Sequence, residues 1–231
     1  MARRRPSFKP LPPSARDLVE RLYDARVSLG VALLALLVLV FGWWAYRTWH
    51  TRQESAAQFL LTRALVARDR SPGTEEDEEG KEEPGKHLEK ALELFRQIRD
   101  EYPSSRAAEQ AVLQIGNIHY ERGEYQEALE AYQAYLGEYP KGESGLLAGL
   151  GKGYALESQK RYDAAAATFR AMADRYEASI LTVEALMGLG RSLIQLDQRT
   201  EAKALYRRII EEYPGTRWAK HARNQVASLE R

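Results

Sequence analysis

The sequence contains no cysteine. Disulfides, thiolate metal sites, a cysteine nucleophile and a lipid anchor on an N-terminal cysteine are thereby excluded. Histidine is scarce as well. His50, His87, His119 and His221 are the four, and none has another at metal-ligand spacing. There is no His-Glu-x-x-His, no Gly-x-x-x-x-Gly-Lys-Ser/Thr and no Gly-x-Ser-x-Gly. Gly149, Gly151 and Gly153 form Gly-x-Gly-x-Gly in AGLGKGY. They sit inside a helical unit with no strand before them, so they read as packing glycines rather than a phosphate loop. The carboxylates are scattered along helix faces, which is the pattern of a solvated surface. No catalytic residue, cofactor or metal site is expected. Net charge is also small, +1 over 231 residues, which gives no nucleic-acid footprint. With 44% hydrophobic and 29% charged residues, the chain has the composition of a folded protein.

The near-zero charge hides an uneven distribution. Residues 1–26 carry seven basic residues against three acids, residues 27–46 carry none, and residues 47–231 carry a small acidic excess. The uncharged stretch is VSLGVALLALLVLVFGWWAY. Twenty residues at about 1.5 Å each reach about 30 Å, the thickness of a hydrocarbon core. Trp43, Trp44, Tyr46 and Trp49 cluster at its far end, where amphipathic rings favour the headgroup layer. A buried core helix would show a polar stripe, and Val31–Phe41 has none. A cleaved signal peptide would be shorter and followed by small residues. Residues 27–46 are therefore expected to be an uncleaved transmembrane helix. The preceding basic excess places residues 1–26 in the cytoplasm as a basic tail and residues 47–231 outside it.

The body is a repeat with a period of 37. Tyr102, Tyr139, Tyr176 and Tyr213 are equally spaced, with proline after the first, second and fourth and Glu177 after the third. Ala91, Ala128, Ala165 and Ala202 keep the same interval. So do Phe95, Tyr132, Phe169 and Tyr206, and so do Gly116, Gly153 and Gly190. Ala111, Ala148, Ala185 and Ala222 form one more column. Each unit reads as two helices with apolar residues at helical spacing, ended by Tyr-Pro. Small residues at the glycine and alanine columns allow two antiparallel helices to approach, with Gly116, Gly153 and Gly190 expected opposite Ala128, Ala165 and Ala202. The aromatic column supplies a plug between units.

These columns resemble the tetratricopeptide repeat, with a small residue at position 8, alanine at 20, an aromatic at 24 and proline at 32. In the second unit they fall on Gly116, Ala128, Tyr132 and Pro140, and in the fourth on Gly190, Ala202, Tyr206 and Pro214. The tryptophan usual at position 4 is replaced by Val112, Gly149 and Leu186. The three extra residues per period, with the turns Tyr102-Pro103-Ser104-Ser105 and Tyr213-Pro214-Gly215-Thr216, are similar to repeats of the Tol–Pal-associated division coordinator and the outer-membrane assembly lipoprotein. The basic head, the span ending in Gly42-Trp43-Trp44-Ala45-Tyr46 and the following Ser55-Ala56-Ala57 resemble the ancillary subunit of the SecYEG translocon. The resemblance implies an all-α helix-turn-helix solenoid of about four units, with a C-terminal capping helix and one transmembrane helix before it. It also implies a bacterial inner-membrane protein with a periplasmic repeat domain and a chaperone-like role.

The expected organisation follows. Residues 47–103 form a first, atypical repeat, with a first helix at 53–70 and an acidic insertion at 71–86. Seven acids crowd residues 75–83 and should keep that insertion solvated and flexible. Residues 104–215 form three repeats and 216–231 the cap. Stacked helix pairs curve, and the first helix of each unit lines the hollow. In the family's register the lining positions are 2, 5, 9, 12 and 13. They give Gln110, Leu113, Asn117, Tyr120 and Glu121; then Leu147, Leu150, Tyr154, Glu157 and Ser158; then Glu184, Met187, Arg191, Ile194 and Gln195. Apolar anchors among hydrogen-bonding groups suit an extended or helical peptide, with Tyr120, Tyr154 and Arg191 as main anchors. The lysine that a chaperone-tail clamp needs at position 5 is replaced by Leu113, Leu150 and Met187. The expected partners are proteins or peptides, in a translocon or envelope-assembly complex, rather than nucleic acids or small molecules. The competing reading is a structural scaffold of the cell envelope.

Overall fold

Helix signals dominate the chain from Pro13 onward, and the secondary structure of the described residues is helical throughout. The computed structural model describes residues 13–69, 85–177 and 179–231. Residues 1–12 of the basic tail and 70–84 of the acidic insertion lie outside the described residues. The helices are α1 (Pro13–Asp69), α2 (Lys86–Glu101), α3 (Arg106–Glu121), α4 (Tyr125–Glu138), α5 (Gly145–Ser158), α6 (Tyr162–Arg175), α7 (Thr182–Gln195), α8 (Arg199–Glu212) and α9 (Arg217–Leu229). The chain divides into two units, residues 1–52 and 53–231.

In the first unit, α1 opens with Pro13 at a position where the missing N–H costs nothing. Residues 13–26 of the expected tail are therefore helical and continuous with the apolar run. Val31, Leu33, Leu34, Leu36, Leu37, Val38, Leu39, Val40 and Phe41 are all more than half exposed. The stretch is long and apolar enough to cross a membrane, and it contributes nothing to the buried core.

In the second unit, residues 53–69 of α1 pair with α2, and α3–α4, α5–α6 and α7–α8 form three further hairpins, with α9 closing the stack. Ala57, Leu61, Ala64 and Ala67 bury the inner face of residues 53–69 against Ala91, Leu92, Phe95 and Ile98 of α2 and against α3. Tyr132, Phe169 and Tyr206 fill the joints further along, none more than 2% exposed. The glycine columns meet these rings. A β-carbon on Gly116 would sit 2.7 Å from Cε1 of Tyr132, and one on Gly188 would sit 2.6 Å from Cζ of Phe169. Gly151 faces the other side of the Tyr132 ring, and Gly153 faces Phe169. Each of these two aromatics is thus clasped between glycines of two successive units, which accounts for Gly151 and Gly153 in the Gly-x-Gly-x-Gly run.

The turns also follow the period. The N–H groups of Ser105, Gly142, Ser179 and Thr216 each donate to the carbonyl of the tyrosine three residues earlier. The turn after Tyr176 keeps this bond although Glu177 stands in place of proline. Ser105 Oγ accepts from Ala108 N–H at 3.1 Å and Thr216 Oγ1 from Ala219 N–H at 3.2 Å, so α3 and α9 are capped. Gly142 occupies that column in the third unit and cannot cap. There α5 starts two residues later in register, and the phenol of Tyr135 accepts from Ser144 N–H at 3.0 Å instead. Within the hairpins, Gly123, Lys160 and Asp197 form one column of left-handed residues, at φ 76°, 60° and 59°.

Successive first helices pack directly, α3 on α5, α5 on α7 and α7 on α9. Among the described residues the second helices do not approach one another within 8 Å backbone to backbone. Long side chains span the gap instead, as Arg170 of α6 does to Glu201 of α8 at 2.6 Å. A stack closer on one side than the other bends toward the closer side. The first helices therefore line the concave face.

Candidate partner-binding groove

The wall of the groove is built from the columns that carry position 9 and position 24. In the second unit the Tyr132 phenol, pointing up from the core, donates to Asn117 Oδ1 at 2.8 Å. In the third unit the plug is Phe169, which has no hydroxyl, and Tyr154 stands where Asn117 did. The two rings lie 5.4 Å apart at 58°. In the fourth unit the plug is again a tyrosine, Tyr206, and Arg191 stands at position 9. The Tyr206 hydroxyl is buried with no hydrogen-bond partner among the described residues. Burial holds its pKa up at about 12.

Polar links then run along the groove from unit to unit. Arg68 of α1 donates to Gln114 and Glu121 of α3. Asn117 Nδ2 donates to Gln114 Oε1 at 3.3 Å. Tyr120 Oη lies 3.5 Å from Ser158 Oγ of α5. Arg191 of α7 donates to Glu157 of α5 at 2.9 Å and lies over the Tyr154 ring at 5.5 Å. Ser192 Oγ, fully buried, donates to the other oxygen of Glu157 at 3.0 Å. Burial disfavours the Arg191 charge, but the hydrogen bond and negative charge of Glu157 outweigh it and raise the pKa. Burial also pushes the Tyr154 phenol up. Glu184 of α7 accepts from Trp218 Nε1 at 2.8 Å and from Arg217 at 3.0 Å, and Arg217 covers the Trp218 ring at 4.8 Å. A cavity of about 310 Å³ between α7 and α9 is lined by Glu184, Met187, Arg191, Arg217, Trp218 and His221.

Of the residues assigned to the lining from sequence, Gln110 and Glu121 are exposed, as is Leu147. Asn117, Tyr120, Tyr154, Glu157, Arg191 and Ile194 are half-buried, with Ile194 packed against the core. The assignment needs correction at position 5. Leu113 and Leu150 are each 6% exposed and Met187 4%, and all three belong to the core. The first helices approach closely enough that this position points into the joint, and Met187 also lines a cavity. Arg68, Gln114, Arg217, Trp218 and His221 were not assigned. His221 was legible as position 2 of the half unit, in the column of Gln110, Leu147 and Glu184. Arg68 was not, because the insertion breaks the register before it.

The groove holds paired charges, hydroxyls and aromatic faces. Among the described residues there is no cluster of three or more His, Asp or Glu able to hold a metal. Such a wall offers hydrogen-bonding groups and ring faces.

Residues 23–230 match the family described as tetratricopeptide repeat-like domain. No curated protein matches the sequence. Among solved structures, a tetratricopeptide repeat protein from Parabacteroides merdae is similar at 16% identity and a TM-score of 0.60. That match covers 76% of this chain and 60% of the other, so the chain spans about three fifths of its length. The TPR-like repeats of a putative kinesin light chain from Podosopora anserina are similar at 13% identity and a TM-score of 0.58, covering 76% and 85%. The MamA RS-1 ArsTM double mutant is similar at 16% identity and a TM-score of 0.53, covering 77% and 94%. At these identities the likeness concerns the fold.

Proposed function

We propose, from the premise that this chain belongs to the tetratricopeptide repeat-like domain family, that it is a membrane-tethered binding protein whose groove holds a segment of another polypeptide. The repeat fold supports a protein-interaction role in general. The finer reading is a chaperone-like or scaffold component of envelope protein secretion or assembly, anchored in the bacterial inner membrane with the repeats on the periplasmic side. The observation that carries it is the wall of the groove, where Tyr154, Arg191 and Trp218 present ring faces and donors beside exposed Leu147. The exposed apolar run of α1 supports the tether. A tether raises the local concentration of the groove near clients at the membrane without any added contact. The reading is non-catalytic throughout.

The test uses a photo-crosslinking amino acid at positions 147 and 221 in the groove and at 133 on the outer face of α4, in the full chain in intact cells. Groove positions should crosslink secreted or envelope proteins and position 133 should not. Equal labelling from both faces would remove the groove from the account. The scaffold reading draws on the bare apolar surface of residues 31–41, which suits assembly within the membrane. It requires function to survive groove substitutions and to fail when the span is replaced by an unrelated one.

A further inference from the structure

The two ends of the solenoid are finished differently. At the C-terminal end, α9 turns Ala219 and Ala222 inward and leaves Lys220, Arg223 and Asn224 in water. At the N-terminal end, no hairpin precedes residues 53–69 and α2 among the described residues. Their outer face keeps Phe59 at 65% and Val66 at 58% exposure, seven residues apart and so on one side of the helix. Between α1 and α2 lies a cavity of about 260 Å³ lined by Thr62, Arg63, Val66, Ala67, His87, Lys90 and Leu94.

The charge of this face is one-sided. Its lining includes Arg63, His87 and Lys90 and no carboxylate. Among the described residues none of the three has an ion-pair partner, and Arg63 lies over the Phe59 ring at 5.9 Å. Of the acids of α2, Glu89 and Glu93 line the neighbouring cavity that α2 shares with the α3–α4 turn, where Lys90 also reaches, and neither lines this one. A second copy of the same face would set base against base, so the face is not self-complementary. Internal repeats of a solenoid cover such a face with the next helix pair.

We infer that the open α1–α2 face is a docking site for an acidic amphipathic helix of a partner protein. Its apolar side would lie on Phe59, Val66 and Leu94, and its carboxylates would meet Arg63 and Lys90. The incoming helix continues the stack where the chain's own repeats stop. This surface lies apart from the groove and does not depend on the groove reading.

The experiment uses the full chain in dodecyl maltoside micelles and a fluorescein-labelled helical peptide of about 18 residues, with leucine on one face and glutamate elsewhere. A control peptide carries lysine in place of every glutamate. The glutamate peptide should bind, and more weakly as salt is raised. Reversing both exposed charges, Arg63→Glu with Lys90→Glu, should weaken it about tenfold or more. Val66→Ser should also weaken it, with the helical content and melting temperature of each variant checked by circular dichroism. Arg217→Ala, in the groove, should leave binding unchanged. Equal affinity for the two peptides, or binding that survives charge reversal, would overturn the proposal. So would a Val66→Cys chain that crosslinks to its own copy, or a photo-crosslinker at position 66 that labels residues 70–84 of the same chain. A loss with Arg217→Ala alone would move the peptide to the groove and leave the end face without a role.

Discussion

Glycine in a helix interior normally costs about 1 kcal/mol against alanine. At Gly116 the sign reverses, because an added β-carbon would press into the Tyr132 ring, which is 2% exposed and cannot withdraw. Gly116→Ala should therefore destabilise by about 1–3 kcal/mol in urea unfolding. Alanine at exposed Gly137, where nothing lies within 4 Å of the new carbon, should stabilise slightly. The glycine column was legible as a packing signal, whereas its contact with the aromatic ring was not. A period gives residues in register without their rotation about the helix axis, so the alanine column and the aromatic four residues later were equally eligible. The same limit explains Leu113, Leu150 and Met187. The coupling of Asn117 with Tyr132 and of Tyr154 with Phe169 could have been found by comparing columns, since a hydroxyl on the plug needs a hydrogen-bonding neighbour and a bare ring needs an aromatic one. Arg191 with Tyr206 breaks the rule, and the unpartnered Tyr206 hydroxyl marks where.

At the scale of elements, helix starts divide by their caps. Ser105 and Thr216, at the ends of the Tyr-Pro-x-Ser/Thr turns, both cap. Nothing local announces that Tyr135, from the preceding hairpin, serves α5. Its hydroxyl is held between Glu109, to which it donates, and Ser144 N–H, from which it accepts. Burial, then the hydrogen bond to Glu109, raises its pKa to about 12. Burial raises Tyr132 further and Tyr206 to about 12. An unfolded tyrosine titrates near 10. The folded form therefore keeps protons that the unfolded form loses. The stabilisation is intact below about pH 10 and declines as pH rises through the folded values. Thermal melts between pH 8 and 12 should be flat at first and then fall steeply above pH 10, with phenolate absorbance at 295 nm appearing late for these three rings. A melting temperature unchanged up to pH 12 would contradict the assignment. Tyr135→Phe, which leaves Ser144 N–H and Glu109 without this partner, should cost about 1–2 kcal/mol at neutral pH.

For the whole molecule, the repeat number and the half unit at the end were legible because the period is unbroken from residue 102 onward. The first hairpin was readable only as two separate helices, since the insertion hides their register. Ala227 shows what the half unit lacks. It falls in the glycine column yet is exposed, and no second helix among the described residues brings a ring against it. Removing residues 217–231 should uncover the face of α7 and α8 on which Trp218, Val226 and Leu229 pack. Losing three such side chains should cost at least about 3 kcal/mol, roughly 10 °C in Tm for a chain of this size. Scanning calorimetry of residues 53–231 against 53–216 would check this. The directly packed first helices carry one more consequence. Adjacent packed helices stand about 9 Å apart, and an extended strand advances about 3.3 Å per residue. A strand laid across the hollow then crosses one hairpin for every three of its own residues. Because side chains three apart on an extended strand point to opposite faces, a partner lying there would turn like-facing side chains to every second hairpin, six residues apart.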